Sequence, residues 1–596
     1  MGSKSRKKKL FKEIPRSFTG PAWLYLAVLM GAILVAYFNS FSAGWQFDDG
    51  PNILNNRQVQ AQDLSPNTLS LAISSQVGGR RPISYLTFAI NHYFSQLDPK
   101  PYHAVNIFLH CANACLVFWM VRLVTGEFYP NLLSRHHNLF SLFVTSLWSL
   151  NPLQTQAVSL IVQRMTLLAS LFSLLSFILF LLWRRSQSGS FRHFYLVGSL
   201  GTLLLAFGSK ENALILPFVI WVYEYLRRRT SSSGFVPLLT WLAVLTLLGT
   251  VLIWKMEIPQ KIQTDYSNRE YSMSERLLTQ PRVITTYISQ LLLPLPSRLA
   301  LRHEVETSTS LFSPGTTLPS LLLLGGLLGG SLFAMRRQPF LAFWILWFFM
   351  TLSIESSILP LEMAFEHRLY LPSIGFFSTL LALPLISSSR RIPIISHPAV
   401  SCGIILLSLI SALLTFQRNR VWKDEVSLWE NNLQRYPGSV RVLTNLSSAY
   451  IKAGKPYLAE QTMTRAFKTD PSYLEARTNL ALFYLGQNKV DEAVSLIDAV
   501  PMPRREMVGS TIFFNFGVIY AKDGQLQKAI DHYREAIHRD PSVAEPWFNL
   551  ALVYTRLSDR QNTRLCLQEF LARWDGELDN PYLLEAQRRL ATLDLP

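Results

Sequence analysis

An acidic pair, Asp48-Asp49, follows the first strongly apolar run of the chain and precedes Gly50-Pro51. That run, residues 22–39, is long enough to span a bilayer, and the lysine-rich residues before it favour a cytoplasmic N-terminus. The pair would then emerge on the extracytoplasmic face, where the Gly-Pro turn would hold it near the membrane. A carboxylate in that place can serve as a general base at the membrane surface. The alternative is a solvated turn.

Other polar residues fall where the chain is predicted to emerge on the same face as the acidic pair. Ionisable groups at membrane depth are costly and are usually retained for a task. Arginine and lysine suit the oxygens of a lipid phosphate, and a nearby carboxylate can take a proton from an attacking hydroxyl as a sugar leaves that phosphate. The residues concerned are Arg80, Arg81, His103, Gln163, Arg164, Lys210, Glu211, Glu366, His367 and Arg368.

Simpler interpretations exist for these residues. Arg80 and Arg164 can snorkel to the interface, and the Glu366-His367-Arg368 segment can be a surface loop. His103 and His110 are interpreted as packing or hydrogen-bonding residues rather than metal ligands. The sequence contains no HExxH, CxxC or glycine-rich phosphate-binding motif. A divalent metal is therefore compatible with the acidic pair but is not implied.

The elements that must position these residues are apolar runs, which fill the chain up to residue 416. A basic cluster stands at each predicted inner end and sets the orientation in the membrane. The odd number of runs places the C-terminus on the same face as the acidic pair, together with loops 40–103 and 255–316. Short interfacial helices are predicted within those loops, at 85–91 and 281–293. About eleven spans are predicted, at 22–39, 104–124, 139–150, 165–183, 194–208, 213–226, 235–254, 318–335, 340–354, 369–386 and 399–416.

Overall composition agrees with this organisation. Apolar residues make up 49% of the chain, charged residues 16%, and the net charge is +17. Because much of the basic excess lies at predicted inner ends, we attribute it to membrane orientation and exclude nucleic-acid binding. Large residues follow the first apolar run, so that run is interpreted as a span and not as a cleaved signal peptide, and residues 1–21 stay cytoplasmic. The four cysteines indicate no disulfide framework.

Beyond residue 416 the sequence is soluble and helical, with a linker helix at 417–438 and a repeat at 439–596. An asparagine followed by leucine or phenylalanine recurs at intervals of 34, 36 and 34 residues. An aromatic residue follows each copy, and a glycine follows the first three, whereas the fourth has Arg556-Leu557-Ser558-Asp559 instead. This is the tetratricopeptide pattern of stacked helical hairpins around a concave groove. The repeated asparagines are Asn445, Asn479, Asn515 and Asn549, and small residues that allow close helix packing are Ala459, Ala493 and Ala529.

Several motifs, taken in their order along the chain, resemble the transmembrane-and-tetratricopeptide-repeat family of O-mannosyltransferases and its bacterial relatives. The resemblance covers nearly the whole chain. It implies the C-type glycosyltransferase fold, which uses polyprenyl-phosphate sugars. The motifs are the acidic pair, Arg81-Pro82 with Tyr85-Leu86-Thr87, Tyr102-His103 with Asn106 and His110, Ser209-Lys210-Glu211, and Glu366-His367-Arg368-Leu369-Tyr370-Leu371-Pro372.

The resemblance also implies roles for particular residues. One of Asp48 and Asp49 would be the general base, and the Gly50-Pro51 turn favours Asp49. The lipid phosphate would be cradled by arginine, lysine and histidine side chains, with Glu366 orienting the arginine and with His103, Arg164 and Glu211 in support. The phosphate-binding residues are Arg80, Arg81, Lys210, His367 and Arg368.

The sequence thus predicts an all-α polytopic membrane protein followed by an extracytoplasmic tetratricopeptide solenoid, with a bacterial cytoplasmic membrane as its location. The expected activity is inverting transfer of mannose or another hexose from a polyprenyl-phosphate donor to a Ser or Thr hydroxyl of an exported protein. The repeats would hold that acceptor. The rivals are a non-catalytic scaffold for envelope or pilus assembly, and a ligase or polymerase of lipid-linked glycans.

Overall fold

The computed structural model describes residues 22–74, 81–130, 132, 134–186, 190–228, 262, 266, 269, 271–386, 397–498, 509–574 and 580–593. Within these ranges the regular elements are helical and no strand occurs, which confirms the all-α prediction. The chain divides into two compact units, Met1–Leu428 and Trp429–Pro596.

The first unit is a bundle of helices. Proline at the first helical position starts four of them, at Pro82, Pro99, Pro339 and Pro398, where the missing N–H costs no hydrogen bond, and a Ser272–Glu275 capping box starts another, at Met273. Its helices are α1 Ala22–Ala36, α2 Pro66–Ser74, α3 Pro82–Ser95, α4 Pro99–Phe128, α5 Ser134–Ser149, α6 Thr155–Ser159, α7 Arg164–Arg185, α8 Ser190–Phe207, α9 Leu216–Arg228, α10 Met273–Leu292, α11 Thr317–Arg337, α12 Pro339–Ser353, α13 Pro372–Ile386 and α14 Pro398–Asn419.

Five helical segments of the described residues are long and apolar enough to cross a membrane: Trp23–Ser42, Pro99–Phe128, Ile161–Arg185, Thr317–Arg337 and Pro398–Trp422. Shorter apolar helices occur at Phe191–Phe207, Pro339–Ser353 and Pro372–Leu383. Helices α11 and α14 expose leucine, isoleucine and phenylalanine side chains, as helices that face lipid do. The count of eleven spans stays a prediction, since the run at 235–254 lies outside the described residues.

Helices α12 and α13 pack closely because Gly375 has no side chain. A Cβ atom at this position would lie 2.6 Å from the carbonyl oxygen of Trp344 and 2.8 Å from its neighbour Trp347. The close packing places the turn before α13 against the bundle, where Trp347 Nε1 donates to the carbonyl of Leu371 at 3.0 Å. That turn contains the Glu366-His367-Arg368 segment.

We call the end of this unit that carries Asp48 and Asp49 the outer end. The last helix finishes there: the backbone N–H of Gly44 donates to the carbonyl of Lys423 at 3.0 Å, and Gln46 Nε2 donates to the carbonyl of Trp422 at 3.3 Å. The segment after α14 therefore leaves the bundle at the end where the acidic pair lies.

Basic residues of α7 and α9 gather with two glutamates at another set of helix ends, which we call the inner end. Glu127 accepts from Arg185 Nε at 2.7 Å and also pairs with Arg227, while Glu224 pairs with Arg184 and with Arg228 Nε. The predicted inner basic clusters after residues 165–183 and 213–226 thus meet through Glu127 and Glu224.

The second unit contains the predicted repeats, and α15 Glu425–Arg435 lies in the predicted linker. Four helical hairpins and a further helix follow in its described residues, and Ala459, Ala493 and Ala529 are completely buried between helices. These helices are α16 Val440–Lys452, α17 Pro456–Thr469, α18 Leu474–Gly486, α19 Val490–Asp498, α20 Ser510–Asp523, α21 Leu526–Arg539, α22 Glu545–Arg556, α23 Arg560–Arg573 and α24 Pro581–Leu593.

The turn inside each hairpin needs one residue with positive φ. Gly454 and Gly524 supply it in the first and third hairpins, with φ of +67° and +83°. In the second hairpin the residue is Asn488 and in the fourth it is Ser558, each with φ of +60°. The fourth copy therefore keeps the repeat geometry without the glycine, with Ser558 in the left-handed conformation.

Candidate active site at the outer end

Asp49 is completely buried and is bonded through both carboxylate oxygens. Its Oδ2 accepts from the backbone N–H of Gln46 at 2.9 Å, and its Oδ1 accepts from the backbone N–H of Val162 at 2.7 Å. Burial raises the pKa of Asp49 to about 7, against the lowering effect of these two backbone donors. This carboxylate joins the first outer loop to the turn before α7.

Asp48 is only partly buried, and its neighbours are charged. Burial and the nearby Glu362 carboxylate raise the pKa of Asp48 to about 6, and the Arg81 guanidinium opposes that rise. The Asp48 backbone is fixed by Asn52, whose Nδ2 donates to the Asp48 carbonyl at 2.8 Å. The two adjacent carboxylates thus have different surroundings: one is tied to backbone N–H groups, and the other faces Arg81.

Arg81 is the residue immediately before α3, and a bidentate ion pair with Glu211 fixes the orientation of its guanidinium. Its Nε lies 3.1 and 3.0 Å from the two carboxylate oxygens of Glu211, and its Nη2 lies 3.0 Å from Oε2. The backbones of these segments are also joined, since Ser84 Oγ donates to the carbonyl of Ser209 at 2.9 Å. The Arg81-Pro82 and Ser209-Lys210-Glu211 motifs therefore form one surface.

Lys210 is buried and pairs with a carboxylate that the sequence did not single out. Its Nζ lies 2.8 Å from Glu355 Oε1 and donates to Thr166 Oγ1 at 3.2 Å. Thr166 Oγ1 donates in turn to Gln163 Oε1 at 2.8 Å. Burial lowers the pKa of Lys210, and the Glu355 carboxylate opposes that shift. For Glu355, burial raises the pKa, but the charges of Lys210 and Arg368 outweigh burial and hold the pKa below its ordinary value.

Arg368 is buried beside the same groups. Its Nη1 donates to the carbonyl of Met363 at 3.2 Å, and its guanidinium lies 5.5 Å from the ring centroid of Phe365. Its charge helps to lower the pKa of Glu355, but the two do not form an ion pair. Within the described residues, Arg368 has no carboxylate at ion-pair distance.

His367 lies against Phe365, with ring centroids 5.2 Å apart, and its backbone N–H donates to Gln156 Oε1 at 2.8 Å. Burial, together with the charges of Lys210 and Arg368, holds the pKa of His367 well below its ordinary value. The imidazole is therefore neutral at neutral pH and can offer a hydrogen bond, but no positive charge.

Glu366 has partners other than the predicted arginine. Its Oε1 accepts from the backbone N–H of Ala300 at 2.7 Å and lies 3.0 Å from His303 Nε2. In the described part of the chain it makes no ion pair with Arg368. Glu366 therefore joins the segment before α13 to the loop after α10.

Of the other predicted site residues, two are buried in contacts away from these charged groups, and one lies outside the described residues. Arg164 is completely buried among neutral acceptors, with Nε 3.0 Å from Asn106 Oδ1 and Nη2 2.8 Å from Asn91 Oδ1, so it does not snorkel. His103 is also buried, and its Nε2 lies 3.2 Å from the carbonyl oxygen of Ala43. Both residues hold helices together. Arg80 falls outside the described residues.

Sequence reasoning missed three residues that shape the site, namely Arg276, Glu355 and Glu362. Arg276, on α10, is completely buried and donates to the carbonyls of Ser357 at 3.0 Å and Glu355 at 2.9 Å. Glu362 pairs with Arg269 at 2.9 Å and with Arg302 at 2.6 Å. The available signal was a run of glutamates after a predicted outward span, at 355, 362 and 366.

The arrangement can bind an anion beside a carboxylate. Arg81, Lys210 and Arg368 form a group of cations in which, among the described residues, Arg81 and Lys210 have a carboxylate partner and Arg368 has none, and Asp48 is within electrostatic range of Arg81. Among the described residues no set of three or more histidine, cysteine, aspartate or glutamate side chains is arranged to hold a metal ion. We call Asp48, Arg81, Lys210, Glu355, His367 and Arg368 the outer cluster.

Comparison with known protein families identifies the repeats. A tetratricopeptide repeat model matches residues 451–506, and a TPR repeat model matches residues 517–558. Among solved structures, one match is the MamA 41-end from Desulfovibrio magneticus RS-1, at 15% identity and a TM-score of 0.22. It covers 25% of this chain and 86% of that one.

Curated relatives cover the membrane unit as well. The chain is 26% identical over 460 residues to Protein O-mannosyl-transferase F38B6.6 of Caenorhabditis elegans, covering 75% of this chain and 63% of that protein. It is 25% identical over 617 residues to Protein O-mannosyl-transferase Tmtc3 of Drosophila melanogaster, covering 88% of this chain and 65% of that protein. The chain thus spans slightly less than two thirds of these relatives, and the predicted resemblance is confirmed.

Proposed function

We propose that this chain is a membrane glycosyltransferase that moves mannose or another hexose from a polyprenyl-phosphate donor to a Ser or Thr hydroxyl of an exported protein. The observation that carries the proposal is the outer cluster, where Arg81, Lys210 and Arg368 stand around Glu355 and the partly buried Asp48 carboxylate is within electrostatic range of Arg81. The names of the relatives, protein O-mannosyl-transferases, support the same reaction.

Asp48, not Asp49, is the general base in this proposal. Asp49 is completely buried and each of its oxygens accepts a backbone N–H group, so its carboxylate faces the protein backbone and not an acceptor hydroxyl. Asp48 is partly exposed, and its pKa of about 6 leaves it ionised at neutral pH yet basic enough for proton transfer.

The cations have a clear task during the reaction. The acceptor oxygen attacks the anomeric carbon while the bond from that carbon to the phosphate oxygen breaks, and the hydroxyl proton passes to Asp48. The phosphate leaves with the bonding electrons and gains a negative charge, which Arg81, Lys210 and Arg368 would stabilise. A single displacement of this kind inverts the anomeric configuration.

The remaining residues support these roles. Glu211 aims Arg81, and Glu366 and Arg164 hold the surrounding backbone and helices in place. The tetratricopeptide unit would hold the acceptor protein in its groove. The proposed location is a bacterial cytoplasmic membrane, with residues 1–21 inside and both the outer cluster and the repeats outside.

The deciding experiment compares Asp48→Asn with Asp49→Asn in purified full-length protein. Transfer from polyprenyl-phosphate mannose to a Ser/Thr peptide is measured, and donor binding is measured alongside it. Removing a general base costs roughly 10²–10⁴-fold in rate, so Asp48→Asn should bind donor but lose transfer, and Asp49→Asn should transfer better than Asp48→Asn. Wild-type transfer rates in Asp48→Asn would exclude this base. A wild type that neither binds donor nor transfers sugar would favour the scaffold.

A further inference from the structure

Two buried polar atoms of the outer cluster have no hydrogen-bond partner within the described residues: Glu355 Oε2 and His367 Nδ1. Only 5% of Glu355 and 8% of His367 is exposed. Buried polar atoms are nearly always hydrogen-bonded because leaving one unsatisfied is costly. Both residues lie among the same cations, Lys210, Arg368 and Arg81, so the two unsatisfied atoms point to a ligand with hydroxyl groups.

The position of Glu355 is fixed before any ligand arrives. Lys210 holds its Oε1 at 2.8 Å, and Arg276 Nη2 binds its backbone carbonyl at 2.9 Å. The Oε2 atom takes no part in these two contacts and lies next to the cations assigned to the donor phosphate. In a polyprenyl-phosphate sugar, one oxygen joins the ring to phosphorus, so hydroxyls close to the anomeric carbon come within reach of groups bordering the phosphate.

The other carboxylates near the outer cluster bind other groups. Both oxygens of Asp49 accept backbone N–H groups, and both oxygens of Glu211 face Arg81. Those of Glu362 are divided between Arg269 and Arg302. Glu366 also has one buried oxygen without a partner, but its other oxygen binds Ala300 and His303 and none of the three cations.

We propose that Glu355 Oε2 accepts a hydrogen bond from a hydroxyl group of the donor hexose and that His367 Nδ1 binds a second hydroxyl. Glu355 then has two functions: one oxygen positions Lys210 for the phosphate, and the other recognises the sugar. A carboxylate is the stronger acceptor for a hydroxyl, so Glu355 contributes most of the preference for a glycosylated lipid. This inference rests on the proposed function.

The test compares two probes, polyprenyl phosphate and polyprenyl-phosphate mannose, on the full-length protein in nanodiscs. The measured quantity is the ratio of their dissociation constants, and the wild type should prefer the mannose lipid. Loss of a charge-assisted hydrogen bond should reduce that preference roughly ten- to a hundred-fold in Glu355→Gln, with the binding of polyprenyl phosphate changed less than that of the mannose lipid. Glu306→Gln is the matched control, because this exposed carboxylate lies outside the outer cluster, and it should keep the wild-type ratio.

Glu355→Asp is a second variant in case Glu355→Gln does not fold. It keeps the charge but shortens the side chain by one methylene, so it should also reduce the preference for the mannose lipid. A wild-type ratio in both Glu355 variants overturns the inference, and so does an equal loss of both lipids, which would mean that Glu355 only positions Lys210. A wild type that binds neither lipid would refute the proposed function itself, a result distinguishable from either of these.

Discussion

The Asp49 carboxylate accepts a hydrogen bond from the backbone N–H of Val162 at 2.7 Å. This contact joins the loop after the first apolar helix to the turn that begins α7, and a second contact to Gln46 N–H closes the loop on itself. A buried carboxylate that bridges two backbone segments is a structural element. Its neighbour Asp48, left partly exposed beside Arg81, is available for chemistry.

The first prediction is that Asp49→Asn destabilises the protein. An amide can replace only one of the two acceptor oxygens, and its NH₂ group would face a backbone N–H, leaving that donor unsatisfied. The expected loss is about 1–3 kcal/mol, seen as a lower thermal midpoint at pH 5, where Asp49 is mostly protonated given its pKa of about 7, so that removal of a buried charge does not offset the lost acceptor. The matched Asp48→Asn variant should change stability by about 0.5 kcal/mol or less; an unchanged midpoint in Asp49→Asn would contradict the structural role.

The second prediction concerns the pH dependence of sugar transfer. A carboxylate base works only when ionised, and the pKa of Asp48 is raised to about 6. The logarithm of kcat/KM should therefore fall with unit slope as the pH drops below about 6 and should level off above it. No acid limb in that region would argue against Asp48 as the base.

Two variants should move this acid limb in opposite directions. Arg81 lowers the pKa of Asp48, so Arg81→Gln should shift the limb to higher pH; Glu362 raises that pKa, so Glu362→Gln should shift it to lower pH. The variants are compared by the pH at which kcat/KM begins to fall, and not by their maximal rates, because Arg81 is also proposed to bind phosphate. Shifts of the same sign would show that another group titrates.

Parts of this architecture were predictable because the signals are local. Apolar runs identify α4, α7, α11 and α14 within a few residues, and the repeated Asn-Leu pairs identify the hairpins of the second unit. The placement of Asp48, Arg81, Lys210 and Arg368 on one face is predicted by counting spans, and the count itself stays a prediction.

The roles of single residues were harder to predict, since they depend on contacts between distant segments. Asp49 was favoured as the base because a turn follows it, but its environment is decided by Val162 N–H. Glu366 was expected to orient Arg368, yet its nearest partners, Ala300 and His303, come from the loop after α10. Arg276 stands before the predicted interfacial helix 281–293 and Glu355 stands in a loop, so nothing in the sequence alone associates them.

The third prediction separates phosphate binding from general charge. Arg368→Ala should weaken binding of polyprenyl-phosphate mannose by roughly ten- to a hundred-fold, the value of one charge-assisted contact. Arg282→Ala is the matched control: Arg282 also lies on the outer side, but it binds Thr316 Oγ1 at 2.8 Å and the carbonyl of Glu306 at 2.6 Å. Equal loss in both variants would point to a diffuse electrostatic effect.

The fourth prediction concerns orientation. Single cysteines are introduced into a background in which the four native cysteines are replaced, and intact cells are treated with a membrane-impermeant maleimide. Ser495→Cys, in the exposed part of α19, should be labelled, and Ser186→Cys, at the inner end of α7, should not. The reverse pattern would place the outer cluster in the cytoplasm and contradict the proposed donor.

The fifth prediction tests whether the repeats hold the acceptor. Asn479 and Asn515 occupy the same register on the first helix of two hairpins, and both are partly exposed. Their amides can donate to and accept from an extended peptide backbone. The double variant Asn479→Ala/Asn515→Ala should raise the KM for a long Ser/Thr peptide roughly five- to a hundred-fold, the loss expected for two neutral hydrogen bonds.

The kinetic constants for the donor and the thermal midpoint should not change in this double variant, because neither asparagine contributes to the outer cluster or to a fully buried contact. Gln461→Ala is the matched control, since it removes an exposed amide from the second helix of a hairpin. A short acceptor that cannot reach both asparagines should be used equally well by all three proteins. If instead the long peptide keeps its wild-type KM in the double variant, these asparagines do not bind the acceptor.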